Sequence, residues 1–258
     1  MRNIIRTFLV VVCLLGVIAT PVRAGDVLGP GDIAIIGYRF GSNAEFSFVC
    51  LRTITAGTEI VFTDNGWTEN QAFRLREGFL SWSAPSGGCE IGHIVNVVVG
   101  NYSTGMNLEL LGDQLIAYQG NATMPNFIFA LNSYGVGWQT EVKDNQSSTQ
   151  PTILANLNPS PSIALGQTAY AVYWDQERSF TSTSVALAYL TDTSHWKTSS
   201  SPIPMPTGDF SFTTTAVEVS EFSAETGGET TPWFVIVGLV VIPVLVMVWK
   251  KPKRNCCQ

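Results

Sequence analysis

The sequence predicts an all-β fold: a β-sandwich-like ectodomain with at most one short helix, joined to a C-terminal transmembrane helix. Three observations predict it. Apolar residues recur at every second position through much of residues 25–214, the period of a strand with one buried face. Gly, Asn, Asp and Ser clusters interrupt these runs at short intervals, as sandwiches and barrels require. Residues 233–249 (WFVIVGLVVIPVLVMVW) form 17 consecutive positions without a charge, near the lower limit for crossing a bilayer.

Residues 1–24 read as a signal peptide. Arg2 and Arg6 precede the apolar run at 8–18, and Val22-Arg23-Ala24 supplies compact residues before a cut at Gly25. An uncleaved anchor is the other reading, but the run is short for a span. The β-rich ectodomain then covers 25–216. Its expected strands are 32–39, 45–54, 58–63, 78–83, 94–99, 107–111, 114–119, 126–131, 168–174 and 209–214. Residues 94–99 are apolar on both faces apart from Asn96, which predicts a central, covered strand. Asn65-Gly66 is the strongest short turn signal; Ala56-Gly57, Ser86-Gly87-Gly88 and Gly112-Asp113 are further breaks. Residues 184–190 (SVALAYL) read as a short helix, and 135–162 as a long polar excursion. A linker stalk occupies 217–232.

The membrane segment at 233–249 carries a Trp at each end, matching an interfacial aromatic belt, and Pro243 is tolerated within such helices. Lys250, Lys251, Lys253 and Arg254 follow at once, so the tail at 250–258 is expected in the cytoplasm and the ectodomain outside. The rival reading is a sorting signal, in which the helix is cut away. Cys256 and Cys257 beside the membrane are either acylation sites or reduced thiols.

Charge is divided between the ends and the middle. Of 14 Lys and Arg, three lie in the signal region and four in the last nine residues; the seven that remain face all 20 acidic residues within 25–231, a net of −13. Such a surface repels phosphate backbones, which argues against nucleic acid. It leaves cations, proteins and neutral ligands such as glycans as partners, beside the membrane itself. No cofactor is expected.

Two cysteines, Cys50 and Cys89, fall in the ectodomain. In an oxidising compartment they are expected to form a disulfide; free thiols and a Cys89/His93 zinc pair are the alternatives.

Several segments carry a resemblance. Gly31-Asp32-Ile33-Ala34, Ala56-Gly57-Thr58, Phe62-Thr63-Asp64-Asn65-Gly66-Trp67, Glu77-Gly78, the run GDQLIAYQ at 112–119 and the Asp192…Trp196 element resemble a recurrent β-rich domain of uncharacterised secreted and surface-anchored proteins, mostly bacterial. The resemblance covers nearly all of 30–197 and is carried most specifically by TDNGW and GDQLIAYQG. It implies an exported location and a β-rich fold, and brings no activity with it. The cysteine pair is a local departure from that pattern.

Candidate chemistry is sparse. Oxygen-rich loops in an acidic exported domain can take calcium; Asp64-Asn65-Gly66, Asp113, Asp144-Asn145, Asp175 and Asp192 lie at or near expected loops, with Asp64 and Asn65 the leading candidate contributors, although Asp and Asn close turns without any metal. No G-x-S-x-G or H-E-x-x-H occurs, and His93 and His195 are the only histidines. Asp175 and Glu177 share a strand face at i, i+2, better read as solvated than as a glycosidase pair. Asn101, Asn121 and Asn145 begin glycosylation sequons. Trp82 and Trp174 are expected in the core, with Trp67, Trp138 and Trp196 near loops. The expected function is a non-enzymatic cell-surface module with a structural, adhesive or ligand-binding role; the alternative is an extracellular hydrolase or sensor ectodomain.

Overall fold

Alternating apolar residues do build strands, and the strands form two stacked five-stranded sheets. In chain order they are β1 (Ile33–Arg39), β2 (Glu45–Cys50), β3 (Glu59–Thr63), β4 (Phe79–Ser83), β5 (Ile94–Val98), β6 (Gln114–Asn121), β7 (Met124–Asn132), β8 (Ser162–Ala164), β9 (Tyr170–Tyr173), β10 (Ser179–Phe180), β11 (Trp196–Ser199) and β12 (Ser211–Phe212). Two short α-helices, α1 (Thr152–Ala155) and α2 (Thr183–Leu190), accompany them. This computed structural model describes residues 25–101, 105–175 and 177–213. The predicted signal peptide (1–24), stalk (217–232), membrane helix (233–249) and basic tail (250–258) lie outside the described residues. Among the described residues no helix is long and apolar enough to cross a membrane.

The first sheet has the order β11-β9-β1-β2-β5, antiparallel throughout. The second has the order β4-β3-β6-β7-β8, antiparallel except for the parallel β7–β8 pair. β10 and β12 form a separate parallel pair. The sheets meet through aromatic rings: Phe46 and Phe48 of β2 stand 4.7 and 5.3 Å from Phe62 of β3. Rings at such spacings add to the burial that drives the packing.

β1 is buried along almost its whole length because both its faces are covered. The outer face accepts the 200–210 segment so closely that a Cβ on Gly37 would stand 2.9 Å from Pro206. The outer face of the second sheet carries a smaller core of Trp67, Phe73, Ile116, Tyr118, Phe127 and Leu154. The loop after β3 and the excursion after β7 therefore lie over that sheet.

Cys50 and Cys89 form a disulfide, closing a separation of 39 residues. The zinc alternative is thereby excluded for Cys89. His93 instead contacts Asp209 at 3.2 Å.

Four expectations are corrected. β5 is an edge strand with Val98 44% exposed, rather than central. Residues 107–111 alternate but are not a strand. Their N–H groups go to side chains, Asn107 to Asp64 Oδ2 at 2.6 Å and Glu109 to Asp113 Oδ2 at 2.9 Å, so no ladder forms. The 209–214 strand shrinks to β12, while β8, β10 and β11 arise where none was expected. Trp174 is 52% exposed, with Lys197 Nζ 4.1 Å above its ring, whereas Trp67 and Trp196 are buried. The short helix does form as α2, capped by Ser182, whose hydroxyl accepts from the Val185 N–H at 3.2 Å.

Candidate functional site

The site begins with the turn residues after β3. Asp64 and Asn65 are buried, and an unpaired polar group there would be costly. Asp64 Oδ1 accepts from Gly78 N at 2.9 Å and Oδ2 from Asn107 N. Asn65 Oδ1 accepts from the N–H groups of Arg76 and Glu77, both at 3.0 Å, while Nδ2 donates to Gly78 O at 2.9 Å and Thr63 Oγ1 at 2.8 Å. The Asn-Gly signal therefore does not make a two-residue hairpin. It closes a long loop, 64–78, by side-chain bonds across its neck. Gly66 is required because a Cβ there would meet Ser147 O at 2.3 Å, and Gly78 because one would meet Met106 N at 2.0 Å.

Asp113 plays the same part on the neighbouring connection. Its Oδ1 accepts from Gln114 N at 2.9 Å and its Oδ2 from Glu109 N, while its carbonyl accepts from Ser133 N at 2.8 Å. The expected calcium contributors Asp64 and Asn65 thus have their side-chain oxygens occupied by N–H donors.

What these clamps hold in place is a second group of oxygens. The side chain of Gln114, at the start of β6, is fully buried. Its Nε2 contacts the Asp64 carbonyl, the Asn145 carbonyl at 2.7 Å and Glu77 Oε2 at 3.5 Å. Gln114 Oε1 and Asp144 Oδ1 are buried without a hydrogen-bond partner. Arg74 Nη1 donates to Asn145 Oδ1 at 2.8 Å.

The electrostatics follow from this crowding. Burial, then the Asp64 carboxylate, push the Glu77 carboxyl up to about 8, with Glu109 and Asp144 adding to the effect and Arg74 opposing it. Burial pushes Asp64 up to about 6 against the pull of the N–H groups of Asn107 and Gly78. Asp113 is held well above the ordinary carboxylate range, again chiefly by burial.

Glu77 also borders a groove of about 530 Å³ on the outer face of the second sheet. Its floor is made by outward positions of β3 (Glu59, Val61), β4 (Phe79, Ser81) and β6 (Tyr118); Phe73 and Leu75 of the 64–78 loop form a wall. Phe79 is 47% and Leu75 65% exposed. A larger groove of about 690 Å³ by Leu110, Thr168 and Tyr170 is lined by no carboxylate, amine, guanidinium or imidazole.

The remaining candidates lie apart from this region. Asp175 and Glu177 are not on a strand face but in the turn after β9, where Glu177 N donates to Asp175 Oδ1 at 3.1 Å. Asp175 Oδ2 meets His195 Nδ1 at 2.7 Å, and His195 Nε2 lies 3.9 Å from Asp192 Oδ2. That histidine sits between two carboxylates and stacks on Tyr189, with ring centres 4.8 Å apart. Asn121 ends β6, where its Oδ1 accepts from Thr123 N and Met124 N across the β6–β7 turn, and it borders the 530 Å³ groove. Asn145 is exposed at the Arg74 contact. The Asn101 backbone lies in a short 3₁₀ turn. Asp144 lies in one of the oxygen-rich loops read from the sequence, whereas Gln114 and Glu77 carry no local metal-binding signal, since the group is assembled from four separate segments. No family model, no curated protein and no solved structure matches the chain.

Proposed function

We propose that the chain is an exported, membrane-anchored module, of the secreted and surface-anchored type it resembles, that binds a neutral polyhydroxylated ligand without transforming it. The observation that carries this reading is the groove on the second sheet. Its lining includes the exposed ring of Phe79 together with Glu59 and Glu77. An apolar ring face with a few fixed polar groups suits the faces and hydroxyls of a sugar. The surplus of acidic residues in the exported part disfavours anionic ligands. The groove floor lies on strands, so its geometry is held by the ladder rather than by a loop.

The experiment is binding of the purified chain to a panel of neutral and acidic oligosaccharides, with Phe79→Ala as the variant. Saturable binding of a neutral glycan, lost in Phe79→Ala, supports the reading. Binding that Phe79→Ala leaves intact, or none across the panel, removes it. The second reading, a hydrolase, draws on two carboxylates, Glu59 and Glu77, bordering one groove. Release of a shortened oligosaccharide during incubation would favour it.

A further inference from the structure

We propose that Gln114, Glu77 and Asp144, together with the main-chain carbonyls of Asp64 and Asn145, form a binding site for one calcium ion.

The argument starts from a count of donors and acceptors. The Gln114 amide has two N–H protons, yet its nitrogen stands among three oxygens: the Asp64 carbonyl, the Asn145 carbonyl and Glu77 Oε2. Its own Oε1 has no partner, and neither has Asp144 Oδ1, while Asp144 Oδ2 accepts from the Tyr134 hydroxyl at 3.3 Å. Gln114 is fully buried. Buried acceptors in excess of donors are destabilising, and native proteins avoid them. A cation is the group that satisfies several oxygens at one point. A half-turn of the Gln114 amide, whose shape is nearly unchanged by the exchange of oxygen and nitrogen, presents Oε1 to the same oxygens and adds it to the set.

The donor chemistry selects the ion. All five atoms are oxygens, with no imidazole or thiolate, which excludes the usual zinc and copper environments. Calcium takes six to eight oxygens in flexible geometry and freely mixes carbonyls, carboxylates and water. Magnesium demands a tighter octahedron, which donors from four chain segments are poorly placed to supply. The two carboxylates balance the charge of a divalent ion. Among the described residues no three His, Cys, Asp or Glu side chains are grouped to hold a metal ion, so this site depends on its neutral oxygens and leaves no contiguous motif. The nearby Arg74 is directed at the Asn145 side-chain oxygen, leaving the Asn145 carbonyl to the cluster.

The surroundings are already organised. The Asp64 carbonyl is fixed because its side chain is clamped by Gly78 and Asn107. The 143–148 segment is brought in where Gly66 admits the Ser147 carbonyl. Such second-layer contacts are what orient metal ligands. The site does not depend on what the groove binds, although Glu77 borders both.

The test is calorimetric titration of calcium chloride into the purified full chain stripped with EGTA, with thermal melting followed in parallel. The expected result is one ion per chain at a Kd of about 1 mM or tighter, the range of extracellular modules. The melting temperature is higher in calcium than in EGTA. Glu77→Gln and Asp144→Asn each weaken binding by about tenfold or more. Glu141→Gln, an exposed carboxylate outside the set, leaves it unchanged. No heat and no melting shift at about 10 mM calcium, well above that range, overturns the proposal. So does wild-type affinity in Glu77→Gln and Asp144→Asn. If Glu77→Gln does not fold, Asp144→Asn on the surface excursion decides alone. Glycan binding measured in calcium and in EGTA separates failure of this site from failure of the groove.

Discussion

The backbone N–H of Glu77 donates to Asn65 Oδ1 at 3.0 Å, so the carboxylate at the edge of the groove is positioned by a turn residue at the far end of the same loop. Asn65→Ala removes this bond together with those to Arg76 N and Gly78 O. It leaves the Glu77 N–H without its partner, while Gly78 O keeps the Thr63 hydroxyl at 2.6 Å and Arg76 N keeps Arg74 O at 2.6 Å. The expected cost is about 1–3 kcal/mol, read from chemical denaturation. The 64–78 loop is expected to become the first site of proteolytic cleavage.

Gly66→Ala is expected to act at a distance. The new methyl would meet Ser147 O at 2.3 Å, and a main-chain atom cannot swing aside as a side chain can. The 143–148 segment must then lift from the second sheet. Limited proteolysis should show faster cutting within 135–150. The unfolding midpoint should fall by an amount comparable to other overpacking changes, about 1–3 kcal/mol.

Stability in EGTA is expected to fall as pH rises. Glu77 and Asp64 are raised to about 8 and about 6 from ordinary values of 4.5 and 3.8. The folded chain therefore binds more protons than the unfolded chain between those limits. Stabilisation from this source is complete below about pH 4 and is lost as pH climbs through about 6 and then about 8. Glu77→Gln removes the upper part of the loss, so in EGTA it should be more stable than the wild type at about pH 9 and similar to it at about pH 4. Urea denaturation at the two pH values measures this. A wild-type chain more stable at the higher pH contradicts it.

Replacing Cys50 and Cys89 by Ser opens a loop of 39 residues. The chain-entropy account gives a loss of about 3–4 kcal/mol, measurable by comparing denaturation midpoints of the variant and the oxidised wild type. Because both cysteines are buried, the variant also tests whether the core tolerates two hydroxyls.

Much of the sheet could be read from alternation alone. Phe46 and Phe48 point inward and the register of β2 follows from them, and the GDQLIAYQ run does become β6. The misses share a physical cause: hydrogen bonds that side chains take from the ladder. Residues 107–111 have the pattern of a strand, but Asp64 and Asp113 capture the N–H groups that a neighbour would need. β8 and β11 are only 3 and 4 residues long, too short for a period to show, and β11 (WKTS) has a single apolar residue. The exposed position of Val98 was hidden because an apolar strand reads alike at an edge and in the middle. At the candidate site, Asp64 and Asn65 lie in the 64–78 loop that borders the oxygen cluster. Their side chains build the scaffold, while the Asp64 carbonyl faces the oxygen cluster. Glu77 and Gln114 carry no metal-binding signal in sequence, and with Asp144 they become a group only when the 64–78 loop and the excursion close over β6.

Lys197 lies over the ring of Trp174 on the outermost strand of the first sheet. An open strand invites a neighbour's strand to join it, and a charge at that position penalises such joining. Copies can therefore stand close together without zipping into a continuous sheet, because the exposed aromatic is already occupied by the chain's own cation.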